Sequence, residues 1–207
     1  GSLSNGFYRG IAPEADVVLV KLARTGRITD ENIQEGLEWV LANRERYNIK
    51  IINISAGGDK EKSYIDDPLS RVVEQCTAAG ILVVCAVGNS GHLPNHPVVP
   101  PASAPSCIAV GGLDDDNSFD RSRRGMYRSS YGPTIDGLQK PEVIAPSIWV
   151  PAPILPNTQT AQQASLLEVL DKAKDEDLHS IIRANPGVDE DLDVALDRAV
   201  HSIRQLI

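Results

Sequence analysis

Short apolar runs alternate with segments of helical periodicity through the first part of the chain. The runs lie at Asp16–Leu22, Lys50–Ser55 and Ile81–Val87. A run of this length without polar alternation is typical of a strand that is covered on both faces, as in a parallel sheet. Residues 30–46 and 68–79 carry apolar side chains at helical spacing. This alternation predicts an α/β fold with a doubly wound, mostly parallel sheet.

The pattern divides the chain into three parts. Two more apolar runs, Ser106–Gly111 and Pro141–Pro146, extend the predicted sheet. Three prolines in the next nine residues are typical of a linker or an extended arm, and the remaining positions repeat at helical spacing. We therefore expect a sheet-containing domain at residues 1–147, a proline-rich linker at 148–156 and a helical appendage at 157–207.

The appendage is predicted to consist of amphipathic helices. Thr160 and Gln163 have the spacing of a capping box, which predicts the start of a helix. A second apolar stripe runs from Val188 to Leu206 and predicts a helix that reaches nearly to the end. Ten of the 28 acidic and five of the 20 basic residues lie in this part. Such a stripe is far more often core or interface than catalytic surface.

Charge and hydropathy narrow the range of partners. The formal net charge of -8 argues against a nucleic acid or an anionic membrane surface as the partner. No apolar run approaches the roughly 20 residues that a membrane-spanning helix needs. The first residues lack the charged and apolar regions of a signal peptide. Since Gly1 and Ser2 are also the remnant that cloning often leaves, the sequence does not indicate a cellular location.

The cysteines and histidines do not form a recognisable metal-binding or disulfide pattern. The three cysteines lie inside predicted helix or strand, so we interpret them as buried thiols: Cys76, Cys85 and Cys107. The sequence has neither a Cys-x-x-Cys pair nor two histidines four residues apart on a helix. We therefore predict no metal site and no cofactor.

Asn89 is the first candidate for chemistry. It follows the apolar run at Ile81–Val87, within the turn Gly88–Gly91. In open parallel sheets, ligands bind at the carboxyl ends of the strands, where this asparagine is predicted to lie. Gly-Asn-Ser-Gly is also an ordinary turn sequence. These four residues do not by themselves decide between the two interpretations.

Several segments together resemble the middle of a subtilisin-like serine peptidase domain. The three main ones are Gly10–Leu22, Ile51–Gly58 and Val84–Gly91, and they occur in the family's order and spacing. Four shorter segments fit the same family: Glu38–Asn43, Ser106–Gly112, Ser129–Pro133 and Val143–Pro146. The resemblance covers roughly Gly1–Ser147, which implies that this part is a partial subtilisin-like fold.

The resemblance implies roles for particular residues. Asn89 resembles the side chain that donates to the oxyanion of the tetrahedral intermediate. Ser55, Ala56 and Gly57 resemble the strand that binds a peptide by adding it to the sheet. One wall of the primary specificity pocket is implied at Ala86, Val87 and Gly88. The family also implies a cis proline bond within Pro100–Ala102.

The motifs that carry the family's catalytic triad do not occur in this chain. The aspartate belongs to Asp-Ser/Thr-Gly, the histidine to His-Gly-Thr-His and the serine to Gly-Thr-Ser, and none of these is found. We therefore interpret the chain as a fragment of a serine endopeptidase that is inactive alone. The implied partner is a peptide or protein substrate. A fragment of this kind is also expected to expose apolar surface and to self-associate or bind the missing parts of its domain.

Two other interpretations remain open. The chain fits a peptidase-like module that has lost catalysis and binds a peptide or protein. It also fits an unrelated doubly wound enzyme, but Gly-x-Gly-x-x-Gly and Gly-x-Ser-x-Gly are both absent. Flanking gene sequence that contains the triad motifs would favour the peptidase, whereas a reading frame that ends near this chain would favour the module.

Overall fold

The computed structural model describes residues 2–3, 8–23, 26–150, 153–197, 199–204 and 206, with only the backbone described at 2–3 and 8–9. The chain forms two compact units, made mainly of Arg9–Val150 and Pro151–Ile207. The predicted linker at 148–156 spans the point where one unit gives way to the other along the sequence.

The first unit contains a five-stranded sheet with three parallel ladders. Its strands are β3 (Ile51–Ile54), β4 (Leu82–Ala86), β5 (Ile108–Asp114), β6 (Gly125–Met126) and β9 (Val143–Pro146). β4 pairs in parallel with β3 and β5, β9 pairs in parallel with β5, and β6 is antiparallel to β5. Two small sheets pair β1 (Ser2–Leu3) with β2 (Tyr8–Arg9) and β7 (Gly132–Pro133) with β8 (Gln139–Lys140). The predicted α/β class with a mostly parallel sheet is confirmed.

Two helices pack against each other and against this sheet. α1 spans Asp30–Asn43, and its capping residue Thr29 accepts from the Asn32 amide at 3.3 Å. α2 spans Pro68–Ala78 and is capped by Asp67, which accepts from the Ser70 amide at 2.7 Å. The predicted helix starts are confirmed, because both rest on side-chain caps that the sequence shows directly. α1 ends three residues before the predicted end.

The helices cover one face of the strands and leave the other face exposed. Alternate residues of β3 and β4 are buried, among them Ile52, Val83 and Cys85, whereas Ile51 and Leu82 are exposed. The expectation that the Ile81–Val87 run is covered on both faces is therefore wrong. An apolar run resembles a fully buried strand in sequence even when only one of its faces is packed in the described unit.

Asp16–Leu22 was predicted to be a buried strand, and this prediction is wrong. The segment forms no β-ladder, and Val17 and Leu19 are 72% and 90% exposed. A cavity of about 660 Å³ lies between this segment, α1 and β3, and Val20 and Leu22 are among its lining residues. The segment therefore stays outside the sheet despite its β-branched composition.

The second unit is helical and has its own core. Its helices are α3 (Gln159–Lys172), α4 (Leu178–Arg183), α5 (Glu190–Ala195) and α6 (Val200–Arg204), and a 3₁₀ turn at Asp175–Asp177 precedes α4. They bury one apolar cluster: Leu166, Leu170, Leu178, Ile182, Leu192, Ala195 and Ile203. In the described residues of both units, no helix is long and apolar enough to cross a membrane.

Two expectations for the second unit are corrected. The capping residue of α3 is Thr158, which accepts from the Ala161 amide at 3.2 Å, and Thr160 lies inside the helix. Asn157 has a positive φ of 62° and turns the chain into this cap. The single helix predicted from Val188 onward is two short helices, α5 and α6, because both bury residues in the same compact cluster.

Candidate active site

The carboxyl ends of β3 and β4 lie side by side because the two strands are parallel neighbours. Their register pairs Ile54 with Cys85, so Ser55–Gly57 and Ala86–Gly88 leave the sheet at the same edge. Ser55 and Gly57 are exposed, and Ala56 is half-buried against the core. The structure therefore brings together the two segments that the sequence analysis associated with substrate binding.

The three residues at the end of β4, Ala86, Val87 and Gly88, differ in how exposed they are. Ala86 is exposed and Gly88 is half-buried, but the Val87 side chain is only 1% exposed and belongs to the core. The Val87 amide donates to the Val110 carbonyl at 3.0 Å, which continues the ladder past the end of the strand. A pocket wall at this point would consist of the Ala86 methyl group and the Gly88 backbone.

Asn89 sits on a turn whose backbone only glycine adopts easily. Gly88 has a φ of 105°, and a Cβ atom there would lie 2.9 Å from the Ser130 hydroxyl oxygen. The next residue, Asn89, is exposed. The turn thus presents a neutral amide side chain to solvent at the edge where the strands end.

Ser130 bonds to the turn on both sides of Asn89. Its amide donates to the Gly88 carbonyl at 3.0 Å, and its hydroxyl oxygen accepts from the Ser90 amide at 3.2 Å. The Gly91 amide donates to the Arg128 carbonyl at 3.1 Å. Ser130 is itself 1% exposed. The segment that supplies these hydrogen bonds was recognised in the sequence only as part of the family resemblance.

His96 and Tyr131 hold the far end of the same turn. The His96 Nδ1 atom lies 2.8 Å from the Gly91 carbonyl oxygen, and its Nε2 atom lies 2.8 Å from the Tyr131 hydroxyl. A carbonyl only accepts, so Nδ1 carries its hydrogen. The two rings stack with centroids 4.0 Å apart. The sequence analysis treated His96 as one of several scattered histidines and missed this contact.

The β3 end of the site is supported by a proline turn. The Gly58 amide donates to the Pro100 carbonyl at 2.8 Å, which fixes the backbone just past Gly57. The Pro100–Pro101 bond is cis, as the family resemblance implied. Ala102, which follows, is fully buried. This proline turn therefore lies beside the exposed Ser55–Gly57 segment and is hydrogen-bonded to the residue that follows it.

A buried lysine anchors the residues that follow the proline turn. The Lys140 side chain is 1% exposed, and its ammonium group donates to the carbonyls of Ala104 and Cys107 at 3.0 Å each. It also pairs with the exposed Glu142 at 2.6 Å, which compensates for the desolvation of the lysine charge. Sequence reasoning missed Lys140, because an isolated lysine in a sequence is normally exposed.

A charged cleft adjoins the Ser55–Gly57 segment. Its volume is about 290 Å³, and its lining residues include Gly57, Gly58, Asp30 and Lys62. The Lys62 ammonium group donates to Asp30 at 2.6 Å, and this hydrogen bond raises the pKa of Lys62. An ion pair between Arg27 and Asp59 lines the same cleft. The edge of the sheet therefore offers polar as well as apolar surface.

The three cysteine thiols lie in the core of the first unit. All three cysteines are free and buried, as predicted. A hydrogen bond with Cys107 and burial raise the pKa of the Cys85 thiol, so it stays protonated and unreactive. Over the described ranges, no group of three or more His, Cys, Asp or Glu side chains is arranged to hold a metal ion.

The mostly parallel sheet with flanking helices is the fold that the family resemblance in the sequence implies. The profile of the subtilase family matches residues 1–171. The chain therefore belongs to the subtilase family. The match includes the whole described sheet of the first unit.

Curated relatives support this membership. The chain is 39% identical over 166 residues to serine protease AprX of Bacillus subtilis (strain 168), a match that covers 76% of this chain and 37% of AprX. It is 30% identical over 157 residues to subtilisin-like proteinase Mp1 of Magnaporthiopsis poae, which covers 72% of this chain and 35% of Mp1. The chain thus spans little more than a third of the length of these relatives.

Solved structures agree on the fold. The S41 psychrophilic protease is 28% identical with a TM-score of 0.54, over 69% of this chain and 46% of that protein. Sphericase is also 28% identical, with a TM-score of 0.53 over 68% of this chain and 46% of that protein. Their likeness confirms the sheet and flanking helices of a subtilisin-like fold.

Proposed function

We propose that this chain is the central part of the catalytic domain of a subtilisin-like serine endopeptidase, in which Asn89 donates to the oxyanion. The observation that carries the proposal is the exposed Asn89 amide on a rigid turn beside the Ser55–Gly57 edge. An amide donor fixed before the reaction stabilises negative charge that develops only in the transition state. Rigidity matters because no energy is then spent on reorienting the donor.

The proposed substrate is a peptide or protein bound as an added strand. The exposed backbone of Ser55–Gly57 continues the direction of β3 and is fixed by the bond between Gly58 and Pro100. Main-chain hydrogen bonds of this kind bind a peptide without regard to its sequence. Ala86 and the Gly88 backbone would then form one wall of a pocket for a substrate side chain, since neither fills the space with side-chain atoms.

The nucleophile and its two partners are proposed to come from other parts of the parent protein. Peptide hydrolysis needs a serine, a histidine that takes its proton and an aspartate that orients the histidine. In serine peptidases of this type, loss of the triad leaves only about 10³–10⁴ over the reaction in water. We therefore expect no measurable hydrolysis by this chain alone. A fluorophosphonate probe that labels a serine of the isolated chain would contradict this.

The exposed sheet face is proposed to bind the rest of that catalytic domain. Ile51, Leu82 and Val143 are each at least 42% exposed, and the strand register places them on the same face of the sheet. A strand face of this composition gains free energy when it is covered. Isolated, the chain is expected to self-associate through it. Sedimentation as a monomer at all concentrations would contradict this expectation.

The central test is Asn89→Ala in the full-length protein that contains this chain. Removing one oxyanion donor is expected to lower kcat by about 10²–10³ with little change in KM, a figure that comes from subtilisin itself. The matched control is Asn95→Ala, because Asn95 is exposed in the loop that follows the same turn. Equal kcat values for the two variants would overturn the proposal.

A further inference from the structure

The bonds around Asn89 single out one residue outside the strands. We infer that Ser130 is a positioning residue that sets the direction of the Asn89 amide toward the developing oxyanion. The inference rests on the proposed function of Asn89. Ser130 would not touch the substrate, and its effect would be transmitted entirely through the turn.

Ser130 is suited to this role because it holds the residues before and after Asn89. Its backbone amide donates to the Gly88 carbonyl at 3.0 Å and its hydroxyl accepts from the Ser90 amide at 3.2 Å. A single buried residue therefore fixes both peptide groups that flank the exposed asparagine, one through its backbone amide and one through its side-chain hydroxyl. Asn89 is left with rotation about its own side-chain bonds as its main freedom.

The Ser130 hydroxyl lies close to the backbone of Gly88. Gly88 has no room for a Cβ, since one would lie 2.9 Å from this oxygen. Ser130 itself is 1% exposed, and loss of its hydroxyl leaves the Ser90 amide without this acceptor. We expect the Ser90 amide to move toward another acceptor, and the turn to shift with it.

His96 and Tyr131 limit how far such a shift can spread. His96 bonds to the Gly91 carbonyl and to the Tyr131 hydroxyl, so the turn stays anchored at its far end. Loss of the Ser130 hydroxyl should therefore displace Asn89 locally and leave the surrounding loop in place. A displacement of about 1 Å at a catalytic group is enough to cost on the order of 10² in rate.

The test is Ser130→Ala in the full-length peptidase, measured alone and together with Asn89→Ala. We expect kcat to fall by about 10-fold to 10²-fold with KM nearly unchanged, because a misdirected donor affects the transition state more than substrate binding. In the Asn89→Ala background the same substitution should cost no further kcat. An additive loss in the double variant would overturn the inference, because Ser130 would then act independently of Asn89.

Ser129→Ala is the matched control. The Ser129 hydroxyl accepts from the Gly112 amide at 2.7 Å, so it makes the same kind of buried bond but to β5. We expect both alanine variants to lose thermal stability, and only Ser130→Ala to lose kcat. Equal losses of kcat in the two variants would show a merely structural role and overturn the inference.

Ser130→Cys serves if the alanine variant does not fold. A thiol has nearly the shape of the hydroxyl but is a weak acceptor, so kcat should again fall with KM unchanged. Wild-type kcat in this variant would overturn the inference. If Asn89→Ala itself leaves kcat unchanged, the proposed function fails. If Asn89→Ala lowers kcat and the Ser130 variants do not, only the role of Ser130 fails.

Discussion

Two apolar runs of similar composition adopt different local structures. Ile81–Val87 contains β4, which has a parallel partner on each side. Asp16–Leu22 is equally rich in valine and leucine, yet it forms no ladder, and a cavity of about 660 Å³ lies between it and β3. The difference shows that a β-forming sequence becomes a strand only where another strand lies at bonding distance.

The largest loss of stability is expected from a substitution at Gly91, in the turn that follows the Ile81–Val87 run. A Cβ at Gly91 would overlap the Ser129 carbonyl, which is backbone and cannot move aside cheaply. We expect Gly91→Ala to lower the free energy of unfolding by about 3 kcal/mol. Chemical denaturation measures this loss. Gly125→Ala is the control, because a Cβ there meets open space, and a similar loss in both variants would contradict the explanation.

Side-chain truncation in each run should give a smaller and unequal effect. Val83 is fully buried in β4, so Val83→Ala is expected to cost roughly 2 kcal/mol through lost burial and a new cavity. Leu19 is 90% exposed, and Leu19→Ala should change stability by less than about 0.5 kcal/mol. Urea denaturation of both variants provides the comparison. Equal destabilisation would mean that the Asp16–Leu22 run is packed after all.

The cap of α1 should matter less than Gly91 or Val83. Thr29 accepts from the Asn32 amide, and Asn32 in turn accepts from the Thr29 amide at 3.2 Å. Thr29→Ala is expected to cost about 1 kcal/mol, measured by thermal or chemical unfolding. Thr29→Ser keeps the hydroxyl and should recover most of that stability. Failure of the serine variant to do so would assign the loss to packing instead.

The smallest expected effect depends on pH. The hydrogen bond to Asp30 raises the folded-state pKa of Lys62. Its stabilisation is therefore fully present below the unfolded pKa of about 10.4 and is lost as the pH rises through the folded value. Lys62→Met should remove this alkaline decline in unfolding free energy. Lys60→Met, an exposed neighbour, should keep it, and identical profiles for both variants would contradict the assignment.

The elements that the sequence predicted well are those determined by nearby residues. Thr29 and Asp67 mark the starts of α1 and α2 because a cap involves only the next few residues. By contrast, whether Asp16–Leu22 forms a strand depends on pairing with another strand, and no local sequence pattern shows whether that pairing occurs. The same holds for the end of the chain, where α5 and α6 fold onto one cluster instead of forming a single helix.

The residues of the candidate site also differ in whether the sequence alone identifies them. Asn89 and Ser55–Gly57 were identified as candidates because strand ends and family segments are visible in the sequence. The residues that support them, Ser130, His96 and Lys140, were not found, because each contact joins positions at least five residues apart in loops or strand ends. Hydrogen bonds of this type leave no periodic pattern, and a lone serine or lysine carries no signal of burial.

The bond between Ser90 and Ser130 also has a consequence for the order of synthesis. These two residues are 40 positions apart, and the bonds to Gly88 and Gly91 come from the same downstream segment. During translation, β4 can pair with β3 long before the partners of its turn have been made. A partly synthesised chain can therefore contain the strand while the turn that carries Asn89 still lacks its hydrogen bonds to Arg128 and Ser130. The residues on either side of Asn89 gain these hydrogen bonds only when the segment that contains Arg128 and Ser130 has been made.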